Sequence, residues 1–292
     1  MSAGAARANL SPMVLLRLGR VSNLPTVWTN VLAATALAGG DPWSPRTGVA
    51  LMAMTLFYIG GMYLNDAFDR SIDARERPSR PIPAGEISAA TVLSAGSAML
   101  GAGIGLMSLF GFAPGLAGLG LAGAIVLYDL RHKNKSFSPI VMGLCRALVY
   151  VGTALIASGT VSGAVLAGAV AILAHVAGLT YAAKQESLDR IGNMWPLAVL
   201  AVPLIAASGA LMAGLPGIAA WFGLATADAL AIAALKKRTR PASVPRAVSA
   251  LIAAISLVDT ALASTVAAWP VVIACLAGYV LTRVAHKAIS GT

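Results

Sequence analysis

Residues 138–158 read SPIVMGLCRALVYVGTALIAS, twenty-one residues with one charge, Arg146, and no alternation of apolar and polar positions. A strand of a transmembrane barrel alternates with period two over short segments, and this run does not. An α-helix rises ~1.5 Å per residue, so ~20 apolar residues match the ~30 Å hydrocarbon layer of a bilayer. The run predicts a membrane-crossing helix. Similar runs fall near 24–40, 46–65, 88–109, 112–128, 161–182, 194–213, 215–234, 246–263 and 267–285. Across all 292 residues, hydrophobic types make up 58% and charged types 11%, and mean hydropathy is +0.81. That is too little charge to cover a soluble protein of this size. The fold class is therefore all-α, a polytopic transmembrane helix bundle forming one domain over 1–292. Residues 10–20 carry Arg17 and Arg20 after a very short apolar stretch, which predicts an interfacial helix and not a typical signal peptide. Cys145 and Cys275 lie in apolar runs without metal spacing and read as small core residues.

The net charge of +10 would suggest nucleic acid in a soluble protein. Here the cations occupy short loops between apolar runs, so membrane topology accounts for them and nucleic acid is not expected as a partner. Arg7, Arg17 and Arg20 precede the first run. The 66–86 loop holds Arg70, Arg75, Arg77 and Arg80; the 129–135 turn holds Arg131, Lys133 and Lys135; the 183–193 loop holds Lys184 and Arg190; the 235–246 loop holds Lys236, Lys237, Arg238, Arg240 and Arg246. The intervening loops hold only Asp41 and Arg46. This alternation predicts a multi-pass protein of the inner (cytoplasmic) membrane with its N-terminus in the cytoplasm. Arg283 and Lys287 favour ten spans, 246–263 included.

Seven of the eleven acidic residues lie in two of these loops. The first reads Asn65-Asp66-Ala67-Phe68-Asp69-Arg70-Ser71-Ile72-Asp73. The second, 120 residues on, reads Gln185-Glu186-Ser187-Leu188-Asp189-Arg190-Ile191-Gly192-Asn193. They match position by position, with Asn193 where the first copy has Asp73. Spacing of i, i+3, i+7 puts each set on one helix face. Three carboxylates on one face repel unless a cation joins them, and Mg²⁺ typically takes one or two carboxylates plus substrate phosphates. Two such faces predict a clamp on a diphosphate, with Arg75, Arg80 and Lys133 placed for its non-bridging oxygens.

Asn65-Asp66-x-x-Asp69-x-x-x-Asp73, with Arg77-Pro78-Ser79-Arg80-Pro81-Ile82-Pro83-Ala84-Gly85-Glu86-Ile87-Ser88 after it, resembles the first signature of UbiA-type intramembrane prenyltransferases. Tyr128 with Lys133 is similar to the Tyr…Lys pair ending that family's fourth helix. Arg17-Leu18-Gly19-Arg20-Val21-Ser22-Asn23-Leu24-Pro25-Thr26 resembles the family's approach to helix one, and Gly143-Leu144-Cys145-Arg146 resembles a bacterial UbiA-like subgroup of ebo-type gene clusters. The resemblance implies about nine helices around a central cavity, with 246–263 as a helical cap in place of a tenth span. It implies Mg²⁺-dependent transfer of a prenyl group from a prenyl diphosphate in the lipid bilayer to an acceptor the sequence does not identify, most often an aromatic ring. The catalytic and metal residues so expected are Asp66, Asp69, Asp73, Glu186 and Asp189, with Asn193 as a further metal ligand. The substrate-binding residues are Asn23, Asn65, Arg75, Arg80, Tyr128, Lys133, Arg146, Tyr181 and Lys184. The second motif departs from the family in Glu186 and Asn193, where carboxylates of Asp are usual, which predicts one weaker metal position.

Arg146, inside an apolar run, is expected either to meet the diphosphate or an acidic acceptor, or to pair with Asp228 or Asp259. His175 reads as a buried hydrogen-bonded residue, and Gly60-Gly61 as close helix packing. An alternative function is a non-catalytic protein of the same fold that binds or transports a lipid or isoprenoid; within the enzyme reading, a polyol phosphate is an alternative acceptor.

Overall fold

The computed structural model describes residues 11–131, 137–184, 193–237 and 243–289. Serine caps start four of its helices, Ser162 accepting from the Val165 N–H at 3.2 Å ahead of Gly163. Ser11 accepts from the Met13 N–H at the start of α1 (Pro12–Leu18), Ser44 from the Thr47 N–H at α3 (Pro45–Phe68), and Ser88 from the Thr91 N–H at α5 (Ala89–Ser108). Each satisfies an N–H that the first helical turn leaves unpaired. Proline at the first helical position of α1 and α3 removes a donor that would have had no partner. Between them lies α2 (Leu24–Leu37), led in by the 3₁₀ turn Val21–Asn23. The others are α4 (Arg70–Glu76), α6 (Phe112–Arg131), α7 (Ser138–Ser158), α8 (Gly163–Lys184), α9 (Ala201–Ala206), α10 (Gly214–Lys237), α11 (Ser243–Ser264) and α12 (Trp269–Ala285).

The all-α bundle stands as expected, and among the described residues eight helical stretches are long and apolar enough to cross a membrane. The run expected at 194–213 is broken into the 3₁₀ turn Trp195–Leu200, α9, and the 3₁₀ turn Ser208–Met212. Pro196 and Pro203 each remove a backbone donor there.

The expected cap is corrected. Residues 243–264 form α11, packed against α2, α8, α10 and α12. Of its apolar stretch 89% is buried, against at most 61% in the other seven candidates. Even its polar Ser256, Asp259, Thr260 and Ser264 are fully buried. A cap keeps one side toward water or headgroups; Arg246 at the start of α11 is exposed, but from Leu251 to Ser264 the helix is buried on every side.

Close packing depends on glycine where α3 crosses α5. A Cβ on Gly60 would meet the Gly96 carbonyl oxygen at 2.9 Å and Leu100 Cδ1 at 2.6 Å, so no side chain fits. Without a hydrophobic drive between helices in lipid, such backbone approach supplies the dispersion contact that holds them. One buried cluster draws mainly on α7, α8, α10 and α11, another on α2, α3, α5, α6 and α7. Leu109, Phe112, Leu230 and Ile273 point outward as a lipid-facing surface would. One end of the bundle gathers the start of α2, the ends of α3, α6, α8 and α12, and the start of α7, joined by Asn65–Asp129, Lys184–Ser138 and His286–Asn23 hydrogen bonds. These are the ends that the charge alternation assigns to one side.

Candidate active site

The first acidic motif lies where α3 runs into α4. Asp69 separates the two with helical dihedrals, and its N–H bonds to the Asn65 carbonyl at 2.9 Å as the Asp73 N–H bonds to its own, also at 2.9 Å. The helical course therefore continues through the motif, and Asp66, Asp69 and Asp73 are all buried, at 6%, 6% and 2% exposure. The cation that the spacing calls for is arginine here. Arg80 Nη1 donates to Asp66 Oδ1 at 3.1 Å and to Asp73 Oδ2 at 2.7 Å, and Arg20 Nη2 lies 3.3 Å from Asp66 Oδ1. Arg20 Nη2 also reaches Asn65 Oδ1 at 3.4 Å, and the Asn65 amide donates to Asp129 Oδ1 at 3.2 Å. Arg20 has φ 41°, a left-handed conformation that costs a non-glycine residue ~1 kcal/mol or more. Tyr58 holds it by donating its hydroxyl to the Arg20 carbonyl at 3.1 Å.

Beside this cluster opens a cavity of about 240 Å³ lined by Arg20, Asn23, Tyr58, Arg77, Tyr128 and Arg146 on one wall and by Val176, Leu179, Ile252 and Ile255 on the other. A second, apolar chamber of about 90 Å³ lies between α2, α3, α6 and α7, lined by Met54, Phe57, Leu121, Ile125, Cys145 and Val149. Tyr58, Met62, Tyr128, Met142 and Arg146 line both, so a molecule can place a charged end in the first and an apolar tail in the second.

Arg146 is fixed by neutral oxygens: Nη1 to Asn30 Oδ1 at 2.8 Å, Nη2 to Thr26 Oγ1 at 3.1 Å, with its guanidinium 5.7 Å from the Tyr58 ring centre. The Thr26 proton goes to the Asn23 carbonyl, which leaves its oxygen to accept. The Asn30 amide donates to both Asp259 oxygens, at 3.0 and 2.8 Å, and Tyr150 donates to the same carboxylate. Of the two pairings expected for Arg146, neither is direct; Asp259 acts through Asn30. Asp228 lies instead beside His175, with Nδ1 and Oδ1 3.9 Å apart. The buried His175 bonds to the Leu251 carbonyl at 2.9 Å through Nε2, as a buried hydrogen-bonded residue should.

The structure brings Asn65, Asp66, Asp73 and Arg80 together at one end of the bundle, and Asn23, Tyr128 and Arg146 line the neighbouring cavity. Arg75 is exposed on α4. Lys184 ties α8 to Ser138 at 2.8 Å, and Tyr181 donates to the Asn193 carbonyl at 2.8 Å. Asn193, expected to ligate metal, is exposed, and its side-chain oxygen accepts from the Trp195 N–H at 3.1 Å, so it serves as a turn cap. Glu186, Asp189 and Lys133 lie outside the described residues. Sequence reasoning passed over Arg20, Arg77 and Asp129, all within or beside the quoted stretches. It also passed over Asn30, Tyr58 and His286, which no spacing marks. His286 Nε2 donates to Asn23 Oδ1 at 2.6 Å.

Among the described residues, no three Asp, Glu, His or Cys side chains converge as a metal cage. The donor set still suits Mg²⁺, which prefers carboxylate oxygens from one side and completes its shell with phosphate oxygens and water. Asp66, Asp69 and Asp73 would hold it, with Arg80 released toward the phosphates.

A family profile described as the UbiA prenyltransferase family matches residues 24–248. A digeranylgeranylglyceryl phosphate synthase of Halobacterium salinarum is 29% identical over 244 residues, 73% of this chain and 86% of that one. A synthase of the same name from Metallosphaera sedula is 29% identical over 138 residues, 46% of this chain and 48% of that one. Among solved structures, a UbiA homolog from Aeropyrum pernix K1 aligns with TM-score 0.64 at 19% identity, covering 83% of this chain and 96% of that one. A UbiA homolog from Archaeoglobus fulgidus bound to GPP and Mg²⁺ aligns with TM-score 0.51 at 16% identity, covering 94% and 99%.

Proposed function

Since the chain belongs to the UbiA prenyltransferase family, we propose that it transfers a prenyl group from an allylic prenyl diphosphate to an acceptor inside the membrane, with Mg²⁺ as cofactor. The observation that carries this reading is the buried Asp66–Asp69–Asp73 cluster, bridged by arginine, beside a cavity that continues into an apolar chamber. The diphosphate lies at the acidic end, and the isoprenoid tail lies among Met54, Phe57, Leu121 and Ile125. Bound Mg²⁺ neutralises charge that builds on the leaving diphosphate. Arg20, Arg77 and Arg80 donate to its oxygens. The C1–O bond breaks, its electron pair leaves with the diphosphate, and the allylic cation forms at the junction of the two cavities. The apolar walls there keep out water that would quench it. An acceptor nucleophile then bonds to C1 and its proton passes to the departed diphosphate.

The acidic end faces the cytoplasm in this reading, from the loop cations. The names of the relatives favour a glyceryl phosphate acceptor over the aromatic ring expected from the sequence. The Gly143–Arg146 stretch is the ground for placing the chain near the ebo-type subgroup. Mass spectrometry of lipids and small metabolites from cells with and without the protein tests the reading. A prenylated product that appears only with the protein supports it; identical profiles under expression, with prenyl diphosphate supplied, would refute it.

A further inference from the structure

Arg146 lies eight residues into α7 from Ser138, so about 12 Å deeper than that end at ~1.5 Å per residue. A charge at such depth is costly and needs compensation. The compensating carboxylate, Asp259, is fully buried but does not touch it, because Asn30 stands between them. A direct carboxylate partner would take two guanidinium N–H groups and cancel the field on the cavity side. Here only two of the five N–H groups are bonded among the described residues, both to neutral oxygens. The guanidinium keeps its charge, is held in one orientation by Thr26, Asn30 and the Tyr58 ring, and lines both cavities. The arginines that contact the acidic motif, Arg20 and Arg80, are a separate set.

We propose that Arg146 binds an anionic group on the acceptor, a phosphate or a carboxylate, and so selects acidic acceptors over neutral ones. This rests on the prenyl-transfer reading. An anion held at Arg146 stands where the headgroup cavity meets the tail chamber. There the acceptor's nucleophile is brought to C1 without displacing the diphosphate. The anion also faces the allylic cation as it forms.

The test uses the full chain in lipid nanodiscs, loaded with Mg²⁺ and unreactive geranyl thiodiphosphate, and titrated with n-hexyl phosphate, hexanoate and n-hexanol. The wild type should bind one or both acids more tightly than the alcohol, and which acid wins distinguishes the two chemistries. Arg146→Gln should weaken the preferred acid by about tenfold or more, as loss of a charge-assisted hydrogen bond to a buried anion does. It should leave n-hexanol and geranyl thiodiphosphate within about twofold, and Arg146→Lys should recover part of the loss. Equal binding of acids and alcohol to the wild type would overturn the inference. So would acid binding unchanged in both variants, or an equal loss of geranyl thiodiphosphate, which would assign Arg146 to the diphosphate. If the wild type fails to bind geranyl thiodiphosphate, the prenyl-transfer reading falls and takes this inference with it. A wild type that binds geranyl thiodiphosphate but shows no acid preference removes only the inference.

Discussion

Arg80 Nη1 stands 2.7 Å from Asp73 Oδ2, and both side chains are largely buried. The same nitrogen reaches Asp66, so one guanidinium joins the two outer carboxylates of a motif whose spacing otherwise brings like charges together. Removing one partner of a buried ion pair leaves an uncompensated charge, typically at a cost of ~3–5 kcal/mol. Arg80→Ala should lower the melting temperature in Mg²⁺-free buffer, and added Mg²⁺ should restore part of the loss by taking over as counter-cation. It should also weaken binding of geranyl diphosphate. An unchanged melting temperature, measured by tryptophan fluorescence in detergent, would show that the bridge does not hold the motif.

Asp259 accepts from Asn30 and Tyr150 deep between α2, α7 and α11. Asp259→Ala strands both donors and removes the charge that offsets Arg146. A destabilisation of roughly 3 kcal/mol is expected. Asp259→Asn still accepts a hydrogen bond and should cost less. Thermal unfolding of the two variants beside the wild type checks the order; wild-type stability in Asp259→Ala would mean that the network does not support the fold.

His286 links the end of α12 to Asn23 in the cavity wall. Burial, then the nearby Arg283 cation, hold its imidazole below the ordinary value of 6.5. The folded state therefore favours the neutral ring, and the unfolded chain binds the extra proton first. This contribution is fully present above pH ~6.5 and is lost as pH falls through the lowered folded value. Stability should decline on acidification below about 6.5, and His286→Gln, which keeps a donor for Asn23, should flatten that part of the profile. Identical pH profiles for the two proteins would contradict the assignment.

The bundle was legible because lipid demands long apolar runs: 138–158 coincides with α7 to the residue, and nine of the ten runs appear as continuous helices. The fate of 246–263 was not legible. An amphipathic helix with Ser256, Asp259 and Thr260 reads as interfacial if its polar face meets headgroups, and as central if that face meets Thr29, Asn30 and Tyr150. Only packing decides between them. The acidic motif was legible because its spacing is local to one helical course. Arg20 and Asp129 were not, since they reach Asp66 and Asn65 from 46 and 64 residues away. The turn that Asn193 caps was not legible either, because alignment with Asp73 carries no information on it.

In the proposed reaction the buried carboxylates bind a prenyl diphosphate through Mg²⁺. Calorimetric titration of the full chain in nanodiscs with geranyl thiodiphosphate tests it most directly, in Mg²⁺ and in EDTA, for wild type, Asp66→Ala and Asp69→Ala. Saturable binding should appear with the wild type in Mg²⁺, vanish in EDTA, and fall at least about tenfold in either variant, since each removes a hard ligand from the metal. Binding of equal strength in EDTA, or in both variants, would contradict it.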